Sequence, residues 1–166
     1  MIDTTSRPVR MLFTSRAGGV SASPYDSFNL GDHVGDDEQA VSANRARLAE
    51  IAGLEPEQFV WMEQLHTNNV TVVDGPQDGP VEATDAIVTT KQNLALCVLV
   101  ADCVPVLLSD HNAGVVAAVH AGRLGARNGI VPRAVEKMRE LGAEPANIQA
   151  LLGPAAAGES LSLIHI

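Results

Sequence analysis

Apolar residues are spaced along this chain in two ways, short near-continuous runs and runs with a helical period. "VPVLLSD" and "GVVAAVH", ending at His120, flank the turn-forming "HNAG" and predict a β-hairpin. "DAIVTT" and "LALCVLVADC" are apolar runs of strand length. "RMLFT", "FVWMEQLH", "NVTVVDG" and "NIQALLG" are read as further strands. "DDEQAVSANRARLAEIAGL" is read as a helix capped by Asp36 or Asp37, with Val41, Asn44, Leu48 and Ile51 on one face and Gly53 as its stop. "GARNGIVPRAVEKMRELGA" is read as a second helix, with Val131, Val135 and Met138 apolar and Pro132 near its start, where proline is tolerated. Between the first strand and the first helix, "SRAGGVSASPYDSFNLGDHVGDD" has no period. It predicts a long loop, of the kind that often carries function. Strands outnumber helices but helices follow them at intervals, so the expected fold is α/β with mixed sheets in a single domain.

Bulk composition narrows the function classes. The chain has 166 residues, 46% of them apolar, enough for one domain with a core. A net charge of −9 argues against a nucleic-acid binder, yet leaves room for a small anionic ligand held by a few local cations. No apolar run reaches the roughly 18 residues that a membrane span needs. "MIDTTSRPVRML" has no apolar core of a secretory signal, so none is expected. The two cysteines, Cys97 and Cys103, fit a reduced cytoplasmic protein better than a disulfide-stapled one.

Three residues stand where buried strands do not need them. His66, Cys103 and His120 each close a predicted strand, where side chains can face a shared cleft. Imidazole and thiolate are preferred zinc donors, and three protein ligands plus one open position is the catalytic arrangement. Each has a plain reading as well: Cys103 a buried small hydrophobe, as Cys97 is, and His120 a hydrogen-bonded core histidine. His33 and His111 lie in loops and read as surface residues. "HAGRLGARNGI" offers a glycine turn, a helix start and the cations Arg123 and Arg127, a pattern that suits phosphate or plain strand-to-helix turning. In "TSRAGGVS", Arg16 beside Gly18 and Gly19 suits a phosphate or carboxylate, or a surface ion pair.

Taken in order, "TSRAGGVSASPYDSFNLGDHVGDD", "QLH", "TDAIVTT", "VADCVPVLLSD" and "VHAGRLGARNGI" resemble the laccase-domain family. Its members are also called polyphenol oxidase-like proteins, peptidoglycan editing factors and purine nucleoside phosphorylases. The resemblance implies a layered α/β/β/α sandwich and a zinc held by His66, Cys103 and His120. It implies phosphate-dependent cleavage of adenosine, inosine, guanosine and methylthioadenosine, with deamination of adenosine alongside. Thr67 stands where the family often has Gly, and Arg123 where it often has Trp. Family members also continue well past "GPA". Residues 1–158 are therefore expected to form a domain incomplete at its C-terminus. Residues 159–166, "ESLSLIHI", are expected to be a non-native tail, with a short native strand as the alternative.

Within that reading, Cys103 and His120 are the central catalytic candidates and Asp102 would orient a ligand or accept a proton. Arg16, Asn29 and Arg123 would bind substrate or phosphate, and Asp85 is a further candidate. A metal-free hydrolase with Cys103 as nucleophile and a histidine base uses the same residues. A cell-wall binding partner and an inactive fragment are the non-enzyme alternatives. A copper oxidase fits poorly, because five histidines are too few for a multicopper site.

Overall fold

A computed structural model describes residues 9–157. The expected tail at 159–166 lies outside the described residues. Helix α1, Glu38–Ala52, starts where the Asp37 side chain accepts from the Ala40 N–H, and Gly53 ends it in the left-handed conformation. Its buried face is Val41, Asn44, Leu48 and Ala49. Ile51, expected on that face, is 52% exposed. The helical turn carries it past the apolar stripe, and Ala49 takes its place.

The strands are β1 (Phe59–Val60), β2 (Val70–Val72), β3 (Ala86–Thr89), β4 (Ala95–Leu96), β5 (Val104–Asp110), β6 (Val115–Ala121) and β7 (Gln149–Leu152). Five of them form one sheet in the order β2-β3-β6-β5-β7, while β1 and β4 pair separately. The β2-β3 and β1-β4 pairs are parallel and the other ladders antiparallel, so the sheets are mixed as expected. β5 and β6 form the predicted hairpin. The Asp110 carboxylate accepts from the Asn112 and Ala113 N–H groups at 2.9 and 3.1 Å to hold the turn.

Side chains alternate across the large sheet, so each strand feeds two cores. Ala86, Val88, Val106, Leu108, Ala117 and Val119 meet Ile130, Ala134 and Met138 on one face. Ile87, Ala118 and Leu107 meet Val60, Met62 and Leu96 on the other. Beyond the small sheet, Leu48 and Ala49 of α1 pack with Phe28, Phe59 and Ala95. The layers therefore run helix, large sheet, small sheet, helix.

Four expectations about elements are corrected. "RMLFT" forms no strand. The run "LALCVLVADC" is paired only at Ala95–Leu96, and "FVWMEQLH" only at Phe59–Val60 with an isolated bridge at Met62. Apolar content reported proximity to the core, not a ladder partner. The second helix divides into α2, Arg123–Arg127, and α3, Ile130–Glu140, because Gly129 adopts φ 79° between them. The buried positions of α3 are Ile130, Ala134 and Met138, with Val131 and Val135 packed at the edge. No helix among the described residues is long and apolar enough to cross a membrane.

Candidate metal centre

His120 lies one residue from the end of β6 and is 3% exposed. Cys103 immediately precedes β5, so it opens a strand and does not close one. The antiparallel register explains their meeting: Val104 pairs with Ala121 and Pro105 with His120, which sets the start of β5 beside the end of β6. His66 sits in a turn, with φ 61°, not at a strand end. That left-handed backbone is costly for a residue with a Cβ, and Asp85 holds it there. The Asp85 carboxylate accepts from the Leu65, His66 and Thr67 N–H groups at 3.2, 3.0 and 2.8 Å and from the Thr67 hydroxyl at 2.7 Å.

The ligand atoms of His66, Cys103 and His120 all lie within 4.8 Å of one another, and the Cys103 Sγ is 3.8 Å from the His66 Nε2. The two imidazoles meet edge to face with ring centroids 4.8 Å apart. Asp85 Oδ1 is 2.7 Å from His120 Nδ1. Burial pushes the Asp85 carboxyl up, but the bonds from His120, Thr67 and His66 outweigh it and hold the carboxyl below its ordinary value. An ionised Asp85 can only accept, so in the neutral imidazole of His120 the proton sits on Nδ1 and Nε2 offers its lone pair to a cation. A carboxylate on the far nitrogen of a histidine is the usual support for a metal ligand.

Two glycines make room for this arrangement. A Cβ on Gly122 would stand 2.8 Å from His66 Cδ2, 3.3 Å from Cys103 Sγ and 3.5 Å from His120 Cε1. A Cβ on Gly125 would stand 2.8 Å from the Thr67 carbonyl oxygen. The sequence suggested turning freedom at these positions. The backbone of Gly122, φ −70° and ψ 166°, suits any residue, and what the site requires there is close approach.

The other candidates fall in different places. Asp102 is exposed, and its hydrogen bond and charge act on Cys103. The group that meets His120 is Asp85, which a "TDA" at a strand start signals only weakly. Burial first, then the charge and hydrogen bond of Asp102 and the charge of Asp85, push the Cys103 thiol up. A cysteine nucleophile needs the opposite environment, whereas a cation between these groups relieves it. Burial drives the Cys97 thiol further, to about 12, within the cluster under α1. Arg16 and Asn29 line the same cavity of about 1640 Å³ as His66, Cys103 and His120, while Arg123 is not among its lining residues. Arg16 donates from Nε to the Asp26 carbonyl and from Nη2 to the Asp26 carboxylate, both at 2.9 Å. Asn29 donates to the Gly31 carbonyl and to Asp36. His33 borders the cavity too, and α2 behind His120 is a single short turn of five residues.

Fold and site together define a layered α/β protein with a candidate His–Cys–His metal centre. A family model described as multi-copper polyphenol oxidoreductase laccase matches residues 10–163, and the chain belongs to that family. A Corynebacterium glutamicum protein named purine nucleoside phosphorylase is 68% identical over 159 residues, covering 95% of this chain and 65% of that protein. A Mycobacterium tuberculosis protein of the same name is 56% identical over 152 residues, covering 92% and 61%. The chain thus spans somewhat under two thirds of the length of these relatives. Among solved structures, YlmD from Geobacillus stearothermophilus matches with a TM-score of 0.81 and 35% identity, over 86% of this chain and 56% of that one. Bacillus licheniformis YfiH matches with a TM-score of 0.79 and 36% identity, over 84% and 56%. The family's descriptive name speaks of several coppers. Among the described residues, His66, Cys103 and His120 are the one such donor group, which suits a single ion.

Proposed function

We propose that this chain carries the core of a cytoplasmic, zinc-dependent purine nucleoside phosphorylase. The observation that supports this best is the convergence of His66, Cys103 and His120 on one point beside an open cavity, with Asp85 fixing the tautomer of His120. The names of the similar Corynebacterium and Mycobacterium proteins agree with it. His66, Cys103 and His120 would hold the zinc. When bound, the ion supplies Lewis-acid stabilisation of negative charge on oxygen. The substrates would be adenosine, inosine, guanosine and methylthioadenosine, with inorganic phosphate as the second reactant.

In the reaction a phosphate oxygen forms a bond to the ribose C1′ and the C1′–N9 bond breaks. The electron pair leaves with the purine, which takes up the proton that the attacking phosphate gives up, and the other product is ribose 1-phosphate, or its 5-methylthio form from methylthioadenosine. Arg16 uses Nε and Nη2 on Asp26, which leaves Nη1 to meet phosphate. Asn29, which lines the same cavity, would be a substrate contact, and Asp102, beside Cys103, would accept a proton from the phosphate. Arg123, at the start of α2, would reach phosphate only from outside the cavity lining. Adenosine deamination would share the zinc.

The test is base release from inosine and adenosine by the purified chain loaded with zinc, with and without phosphate, and again after chelation. Phosphate-dependent release with formation of ribose 1-phosphate, lost on chelation, is the expected result. Release that needs neither phosphate nor metal points to a Cys103 hydrolase. No release from the zinc-loaded chain overturns the proposal for this chain.

A further inference from the structure

Gln64 has a part that metal chemistry alone does not assign. Two of the three ligand-bearing segments leave the small sheet side by side: the one after β1 carries His66 and the one after β4 carries Cys103. Their ladder pairs Phe59 with Ala95 and Val60 with Leu96, and a last backbone bond runs from the Cys97 N–H to the Val60 carbonyl. Beyond it the two segments would be free to part. There the Gln64 side chain closes the gap. Its Nε2 donates to the Leu99 carbonyl at 2.7 Å, and its Oε1 accepts from the Leu99 N–H at 2.9 Å. The primary amide thus stands in for a strand residue, satisfying both backbone groups of one position on the neighbouring segment. Gln64 is two residues before His66, and Leu99 is four before Cys103.

We propose that Gln64 is a positioning residue, a side-chain clamp that sets the separation of His66 from Cys103 and so the affinity of the centre for its metal. The proposal rests on the metal reading of the site. It follows from geometry: Cys103 is anchored on its far side by β5, and His66 by Asp85, but the clamp ties the two arms directly to each other. Gln is suited to the task because it offers a donor and an acceptor in one plane. Glu cannot donate to the Leu99 carbonyl, and Ala fills neither role.

The experiment compares wild type, Gln64→Ala and Gln64→Glu by two readouts. Zinc affinity is measured by competition with a chromogenic chelator. Hydrogen exchange of the 98–103 segment is measured in the zinc-free chain. Both variants are expected to lose about ten- to a hundredfold in zinc affinity, as supporting residues of metal ligands do, and to exchange faster at 98–103. A purely structural role would lower the melting temperature and leave zinc affinity alone, and that result overturns the proposal. Lower activity at wild-type affinity makes Gln64 a substrate contact and also overturns it. If wild type itself binds no zinc, the metal reading fails separately. The clamp is then judged on exchange: faster exchange at 98–103 supports it, and unchanged exchange overturns it.

Discussion

Substituting Gly122 by alanine separates the geometry of the centre from the stability of the fold. The backbone at Gly122 has φ −70° and ψ 166°, which alanine adopts without strain. Loss of chain entropy in the unfolded state should therefore favour the alanine fold by about 0.4–1 kcal/mol. The new methyl, however, would stand 2.8 Å from the His66 ring. Carbon atoms rest at about 3.5–4.0 Å, so the ring must retreat by roughly 0.7–1.2 Å. His66 is exposed at a turn, so it can swing away cheaply and the fold is spared. A metal ligand tolerates only about 0.2 Å of error. Loss of a ligand's correct orientation costs about ten- to a hundredfold in metal affinity, or about 1.4–2.7 kcal/mol of binding. Gly122→Ala should then melt at or above the wild-type temperature in chelator and bind zinc about ten- to a hundredfold more weakly. Zinc titration against a competing chelator and thermal melting of the same samples check both halves. Wild-type zinc affinity in Gly122→Ala would refute the reasoning, since it would mean that the ligands do not converge beside that glycine.

Asp85→Asn replaces a buried carboxylate that serves His120 and three N–H groups. Zinc affinity should fall by about ten- to a hundredfold, read by the same titration. Asn44 is fully buried and ties α1 to the 20–29 loop. It accepts from the Val20 N–H and donates to Ser21 Oγ and to the Ser27 and Asn29 carbonyls. Asn44→Leu leaves those groups unmatched and should cost about 2–4 kcal/mol in urea unfolding. The Asp110 carboxyl is held below its ordinary value, chiefly by the Glu144 N–H and then by those of Ala113 and Asn112. A folded value below the unfolded one gives stability that is present above the unfolded value, about 3.9, and is lost as pH falls through the folded one. Thermal melting of Asp110→Asn should accordingly drop less than wild type on moving from mildly acidic buffer to pH values below that range.

Parts of this architecture are legible in the sequence, and the reasons differ by element. The β5-β6 hairpin was legible because two apolar runs of matching strand length and the "HNAG" turn between them agree. Helix α1 was legible because Asp37 and Gly53 mark its ends by local chemistry. The runs at 10–14 and 94–103 misled because apolar content reports burial, while pairing depends on a neighbour far away in the chain. The ligand trio emerged from the placing of soft donors beside strands, although Cys103 turned out to open its strand and His66 to sit in a turn. Asp85 and Gln64 were the harder residues. Each acts on groups at least 18 positions away, and neither its type nor its spacing marks an acceptor for three N–H groups or a substitute for a strand residue.

Each side of the ligand triangle is tied by a separate device. Hairpin register sets Cys103 beside His120, since the pairing of Val104 with Ala121 leaves Gly122 next in line opposite Cys103. Asp85 couples His66 to His120, accepting from the backbone of one and standing 2.7 Å from the ring of the other. Gln64 couples the His66 segment to the Cys103 segment. The three ties differ in kind: main-chain ladder, buried carboxylate and side-chain amide. A sheet alone could place two ligands, because its register repeats at a fixed spacing and fixes neighbours on adjacent strands. The third ligand sits on an irregular turn, and a turn has no register, so its position must come from side chains. That is why the two residues least visible in the sequence pattern, Asp85 and Gln64, both act on the segment that carries His66.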